Sequence, residues 1–171
     1  MSEDFVWRVF DKHMNQLIRL FKKCPPEQRR VIPDGFHNNV HWHLGHVLYI
    51  TQHEVLGLSE RPLVLPESYE DFFAFGTKPA DWKEDPPEWD LLIAQLKELR
   101  HYIHESLEHR LTEPVGENFL RARDISELVS LTSLHLSYHQ GVVYGMLKSM
   151  NMNTNEEEQV TPSTGSFLEE R

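Results

Sequence analysis

The sequence predicts an all-α protein, an antiparallel four-helix bundle with a long aromatic-rich connection between helices 2 and 3. Three observations carry this. Four segments repeat apolar residues at the helical period, and no segment alternates apolar and polar residues as a half-buried strand would. Two Asp-led start signals, Asp85-Pro86-Pro87-Glu88 and Asp124-Ile125-Ser126-Glu127, stand directly before two of those segments. At 171 residues the chain fits one domain, since single domains run from about 50 to 250 residues. We place the bundle over residues 1–151 and read 152–171, polar and acidic, as a tail disordered at least in part.

The first helix runs from about Asp4 to Phe21, with Phe5, Val9, Phe10, Leu17, Leu20 and Phe21 as its apolar positions, and Cys24-Pro25-Pro26 ends it. The second spans roughly His37 to Leu58, after the turn-rich Pro33-Asp34-Gly35. Its wheel carries two stripes. Val40, Leu44, Val47, Leu48, Val55 and Leu58 form an apolar one that reads as packing. Asn39, Trp42, His43, His46, Tyr49, Ile50 and His53 form a polar and aromatic one that reads as cavity lining. From Ser59 to Pro86 no period is sustained, yet Tyr69, Phe72, Phe73, Phe75 and Trp82 fall there. Long connections in compact domains are commonly functional or disordered, and the aromatics argue for order, as a substrate lid or as a cap on one end of the core. The third helix opens on the Asp85 signal and runs to about Arg110, burying Trp89, Leu92, Ile93, Leu96, Leu99, Ile103 and Leu107; the fourth runs from Asp124 to about Met150.

Charge narrows the partners. With 17 Lys+Arg against 27 Asp+Glu, the formal net charge is −10. No basic run is available to neutralise a phosphate backbone or an anionic membrane, so we expect a small-molecule ligand rather than nucleic acid or lipid. The opening MSEDFVWRVF lacks a signal-peptide pattern and no apolar run is long enough to span a bilayer, so the chain reads as soluble and cytoplasmic. The single cysteine, Cys24, excludes an internal disulfide and a thiolate cluster, and nothing beside it in sequence would lower its pKa. Histidine, present eleven times, is the abundant metal-ligating residue.

His135 and His139 stand four apart in LTSLHLSYHQGVVYGML. On a helix such positions lie about 40° apart, so both imidazoles leave the same face. Leu128, Leu131, Val142, Met146 and Met150 share that arc, which points the pair inward. Burying imidazole nitrogens without partners costs roughly 1–3 kcal/mol each, and a divalent metal would compensate both. An open metal site takes three protein ligands and leaves a position for water or substrate. For the third ligand we choose His46, in the middle of the polar-aromatic stripe and after Gly45, whose missing side chain gives a neighbour room; Gly141 and Gly145 offer similar room on the fourth helix. His43 and His53, on the same stripe, could replace His46 or orient a ligand from behind. Three imidazoles suit zinc or nickel, and admit iron or manganese. The same residues also fit as ordinary bundle histidines, hydrogen-bonded to their neighbours. His101 and His104, among charged residues, read as solvated.

Taken in order, Asn39, Trp42-His43-Leu44-Gly45-His46, Ser126-Glu127-Leu128 and His135-(three residues)-His139-Gln140-Gly141 resemble the DinB-like family of metal-binding four-helix bundles, across roughly residues 4–150. The resemblance implies an up-down-down-up bundle, often a homodimer, with a divalent ion on His46, His135 and His139. It further implies, for members of known activity, transfer of a low-molecular-weight thiol such as bacillithiol, mycothiol or glutathione.

Two classes of function follow. In the first, the chain is an enzyme in which metal coordination activates a bound thiol or water, and Trp42, Tyr49, Phe72, Phe73, Phe75 and Trp82 line a pocket for an apolar electrophile. S-transfer is the thiolate version and hydrolysis the water version. Glu54, about 80° from His46 on an ideal helical wheel, is poorly placed as a general base. In the second, the chain is a non-catalytic metal or small-ligand binding protein of a stress response, its fourth coordination position closed by His43 or His53.

Overall fold

The computed structural model describes residues 2–159. Its elements in chain order are α1 (Glu3–Lys22), α2 (Val40–Thr51), the short α3 (Tyr69–Phe73), α4 (Trp89–Leu107) and α5 (Ile125–Gln159). A π-helical turn, Gln52–Gly57, continues α2, and 3-10 turns occupy Pro26–Gln28 and Pro79–Asp81. Among the described residues there is no strand, only an isolated bridge between Pro114 and Asp124 ahead of α5. Helix α1 packs along α5, while α2 packs against α3, α4 and α5. That central position brings α2 side chains face to face with α5. Among the described residues no helix is long and apolar enough to cross a membrane.

Helix α1 carries Glu3 and Asp4 in its first turn and Arg19 and Lys22 in its last, charges that complement the helix dipole. Its inner line is Val6, Phe10, Met14, Leu17 and Phe21, all buried. Phe5, expected inside, is exposed, because it sits one residue and so about 100° off that line. Helix α4 buries the seven residues its periodicity predicts, Trp89 through Leu107.

The ends are less regular than the sequence suggests. Helix α2 begins three residues later than expected, where the Asn39 carboxamide oxygen accepts from the Trp42 backbone N–H at 2.8 Å. Helix α4 does not use Asp85 as a cap. Asp85 instead pairs with Arg30 at 2.9 Å, and the helix opens at Trp89 behind an extended Glu88. Helix α5 does use its Asp: Asp124 Oδ1 accepts from the Glu127 backbone N–H at 3.0 Å, and Glu127 Oε2 accepts from the Arg123 N–H at 2.8 Å. α5 runs past Met150 to Gln159, since no proline or glycine lies between Met150 and Pro162. The rest of the expected tail, 160–171, lies outside the described residues.

One single-residue expectation changes and one holds. His104 is half-buried, not solvated: it bonds Asp11 Oδ1 at 2.9 Å and packs on Trp7 with ring centroids 4.3 Å apart. Cys24 is buried, and desolvation pushes its thiol up to about 11, which removes it from thiolate chemistry.

Candidate metal centre

The geometry starts at Gly45. A Cβ there would overlap the ring of Phe73, so its absence is what lets α3 lie directly on α2. The neighbour admitted by Gly45 is therefore the Phe73 ring, not a ligand, whereas Gly141 and Gly145 face open space. The close approach also sets the next residue. His46 Nδ1 donates to the Phe73 carbonyl at 2.7 Å, which leaves Nε2 of His46 with its lone pair free. Trp42 lies flat on the other side of the imidazole, with centroids 4.3 Å apart and planes 16° apart.

Across from His46, α5 presents His135 and His139. One potential ligand atom from each of the three lies within 4.8 Å of the others. The two α5 imidazoles meet at their Nε2 atoms, 2.9 Å apart, so without a metal a single proton is shared between two lone pairs. His139 is held from behind by His43, Nδ1 to Nδ1 at 2.9 Å. When the His139 Nδ1–H donates to His43, Nε2 of His139 is free to ligate. The other nitrogen of His135, Nδ1, is buried with no hydrogen-bond partner.

These observations fit a divalent ion. It would replace the shared proton, use one nitrogen from each of three imidazoles that already lie within 4.8 Å of one another, and leave His46 and His139 with the second hydrogen bond that metal-ligating imidazoles characteristically make. Burial prepares the ligands: desolvation, with smaller contributions from neighbouring imidazoles, pulls His43 down to about 3, His135 to about 4 and His139 to about 2. Desolvation likewise pulls His46 to about 4, against a small opposing effect of its bond to Phe73. All four are neutral, as ligation requires.

The histidines close the buried end of a cavity of about 870 Å³. The polar-aromatic stripe of α2 forms one wall: Trp42, His43, His46, Tyr49, Ile50 and His53 all line it, whereas Asn39 is spent on the helix cap. His53 is half-buried against Tyr49, ring centroids 4.2 Å apart, and stands outside the three-histidine group. Of the connection aromatics, Phe75 lines the cavity. Phe72 and Trp82 line a separate surface hollow, and Phe73 is wholly buried in the core. The connection is fastened to α2 at both ends: Gln52 Oε1 accepts from the Val64 and Leu65 N–H groups, and Trp42 Nε1 donates to Thr77 Oγ1 at 2.9 Å.

Glu54 also lines the cavity, buried and receiving a hydrogen bond from Thr132 Oγ1 at 2.9 Å. Burial raises its pKa despite that bond. The π-helical turn explains why the ideal wheel misplaced it: wider turns rotate the chain less per residue and swing Glu54 back toward His46. Phe119 and Tyr138 complete the mouth. Nothing in the sequence singles out Phe119, which lies in an aperiodic stretch. Tyr138 stands about 100° from His139 on the wheel.

Three neutral imidazoles from two helices, gathered at the closed end of a cavity in an all-helical fold, define a candidate metal-binding helical protein. The chain belongs to the DinB superfamily, whose family model matches residues 9–143, a span that contains His46, His135 and His139. A search of curated proteins gives no match.

Proposed function

We propose that this DinB superfamily member is a metal-dependent S-transferase: zinc or nickel on His46, His135 and His139 binds the thiol of a low-molecular-weight cofactor for attack on a small electrophile. The observation that supports it best is the convergence of three neutral imidazoles at the closed end of an open cavity. A divalent ion there would lower the pKa of a thiol or water presented to it. The protein's own groups prepare the place. The Phe73 carbonyl fixes the tautomer of His46, His43 holds the His139 ring through its Nδ1, and Trp42 covers one face of His46.

Elemental mass spectrometry on tag-free protein, compared with His135→Ala/His139→Ala, is the first test. We expect close to one divalent ion per chain in the natural sequence and none in the double variant. Turnover of a model electrophile should then require an added thiol. Absence of metal even after reconstitution would overturn the proposal. Glu54 supports a second reading, hydrolysis, because a buried carboxylate in the cavity wall can take a proton from water. Equal turnover without thiol, abolished in Glu54→Gln with metal content intact, would decide for it.

A further inference from the structure

The cavity above the histidines has a wall chemistry of its own. Its mouth is formed by Phe75 from the connection after α3, Phe119 from the segment before α5, and Tyr138 from α5. These aromatics are left in water, 93%, 76% and 67% exposed respectively. A single exposed aromatic is ordinary; three converging from separate segments on one opening form an apolar patch of the kind that marks a ligand site. Deeper in, Trp42, Tyr49 and Ile50 continue the same surface toward the imidazoles.

Charge sharpens the picture. Among the described residues lining the cavity there is no Lys and no Arg, and the one carboxyl group is Glu54. A carboxylate or phosphate on the body of a ligand would therefore lose its hydration without gaining a counter-ion, an expensive transfer. It would also approach against a chain of formal net charge −10. The imidazole end can receive one donor group. The remainder of the ligand meets mainly aromatic and aliphatic surface, with Asn38, His53, Glu54 and Thr77 as the other polar groups of the lining and no cation among them.

We infer that the ligand filling this cavity is an uncharged small molecule with an aromatic or aliphatic body and a single donor head directed at His46, His135 and His139, and that Phe75, Phe119 and Tyr138 select against anionic bodies. The inference rests on the proposed metal site for the head group alone.

A matched pair tests it. Phenylmethanethiol and 4-(sulfanylmethyl)benzoate share head and ring, and the second adds one negative charge at the end that would meet the rim. By calorimetry on the protein as purified with its metal, the neutral thiol should bind at least tenfold tighter. Phe119→Lys should shrink or invert that ratio, and Phe75→Ala/Phe119→Ala should weaken the neutral thiol several-fold with metal content unchanged. The side chains are exposed, so neither variant threatens the fold. Equal affinities, or tighter binding of the benzoate by the natural protein, would overturn the inference, as would indifference to the rim variants. N-phenyl-1-naphthylamine, neutral and without a donor head, separates the two proposals through its own emission. If it binds and loses affinity in Phe75→Ala/Phe119→Ala while neither thiol binds, the apolar class stands and the metal reading falls. If it does not bind, the apolar class falls.

Discussion

Gly45 and Phe73 show how much of the site depends on one missing methyl group. Gly45→Ala must displace the Phe73 ring, at an overpacking cost of about 1–3 kcal/mol, partly offset by the roughly 1 kcal/mol that alanine gains over glycine in a helix. The carbonyl that orients His46 belongs to the same Phe73. We therefore expect a loss of metal affinity out of proportion to the change in melting temperature, measured by chelator competition beside thermal denaturation. His43 gives a second prediction. It holds His139 through one hydrogen bond, and removing such a partner typically costs about 10–100-fold in metal affinity. His43→Ala should show that loss, and His43→Asn, which restores an acceptor, should recover part of it. Helical periodicity made His135 and His139 legible through their i, i+4 spacing, and placed His46 on the stripe of the second helix with His43 and His53 as alternatives. The hydrogen bonds that orient them were not legible, since they join α2 to α3 and to α5 across long stretches of sequence.

Among the elements, the two Asp-led start signals make an instructive pair. Asp124 caps α5 through the Glu127 N–H, so Asp124→Ala should cost about 1 kcal/mol, read as a shift in the urea midpoint with unchanged slope. Asp85→Ala, at a residue that caps nothing and forms an exposed pair with Arg30, should move the midpoint by a few tenths of that at most. The Asp and Glu positions do not separate these cases, because both signals carry Asp at the first position and Glu at the fourth. What separates them is proline: Pro86, the first position after Asp85, itself precedes a proline and is biased away from the helical region, so Asp85 starts no helix and α4 opens at Trp89. The π-helical turn at Gln52–Gly57 was equally hidden. No residue type announces it, and it is the reason that Glu54 faces the cavity. Long apolar periods were read well, as the buried face of α4 shows, while boundaries and local winding were decided by contacts with other segments.

At the scale of the whole molecule, the buried imidazoles tie stability to pH. His43, His46, His135 and His139 have folded values of about 3, 4, 4 and 2, against an ordinary 6.5. Unfolding takes up protons below that ordinary value, so the stability of metal-free protein is fully present above about pH 6.5 and is lost as the pH falls toward the folded values. Glu54, whose folded pKa is raised, acts in the opposite sense, its contribution being lost as the pH rises through that value. Four histidines outweigh one carboxyl, so urea midpoints of metal-free protein should fall steadily from pH 7 to pH 5; a flat profile would show that the imidazoles are not buried as described. The rim of the cavity was the least legible part of the molecule, because Phe75, Phe119 and Tyr138 come from three separate segments and only the folded chain joins them. Trp42, lying flat against His46 at 4.3 Å, makes the centre its own optical probe. An ion seated on that imidazole is within reach of the indole's excited state. Filled-shell zinc, with no d-electron transitions, should only shift the emission, whereas open-shell nickel should quench it, and Trp42→Phe should abolish either response, so the fluorescence of the natural chain can report which metal it carries.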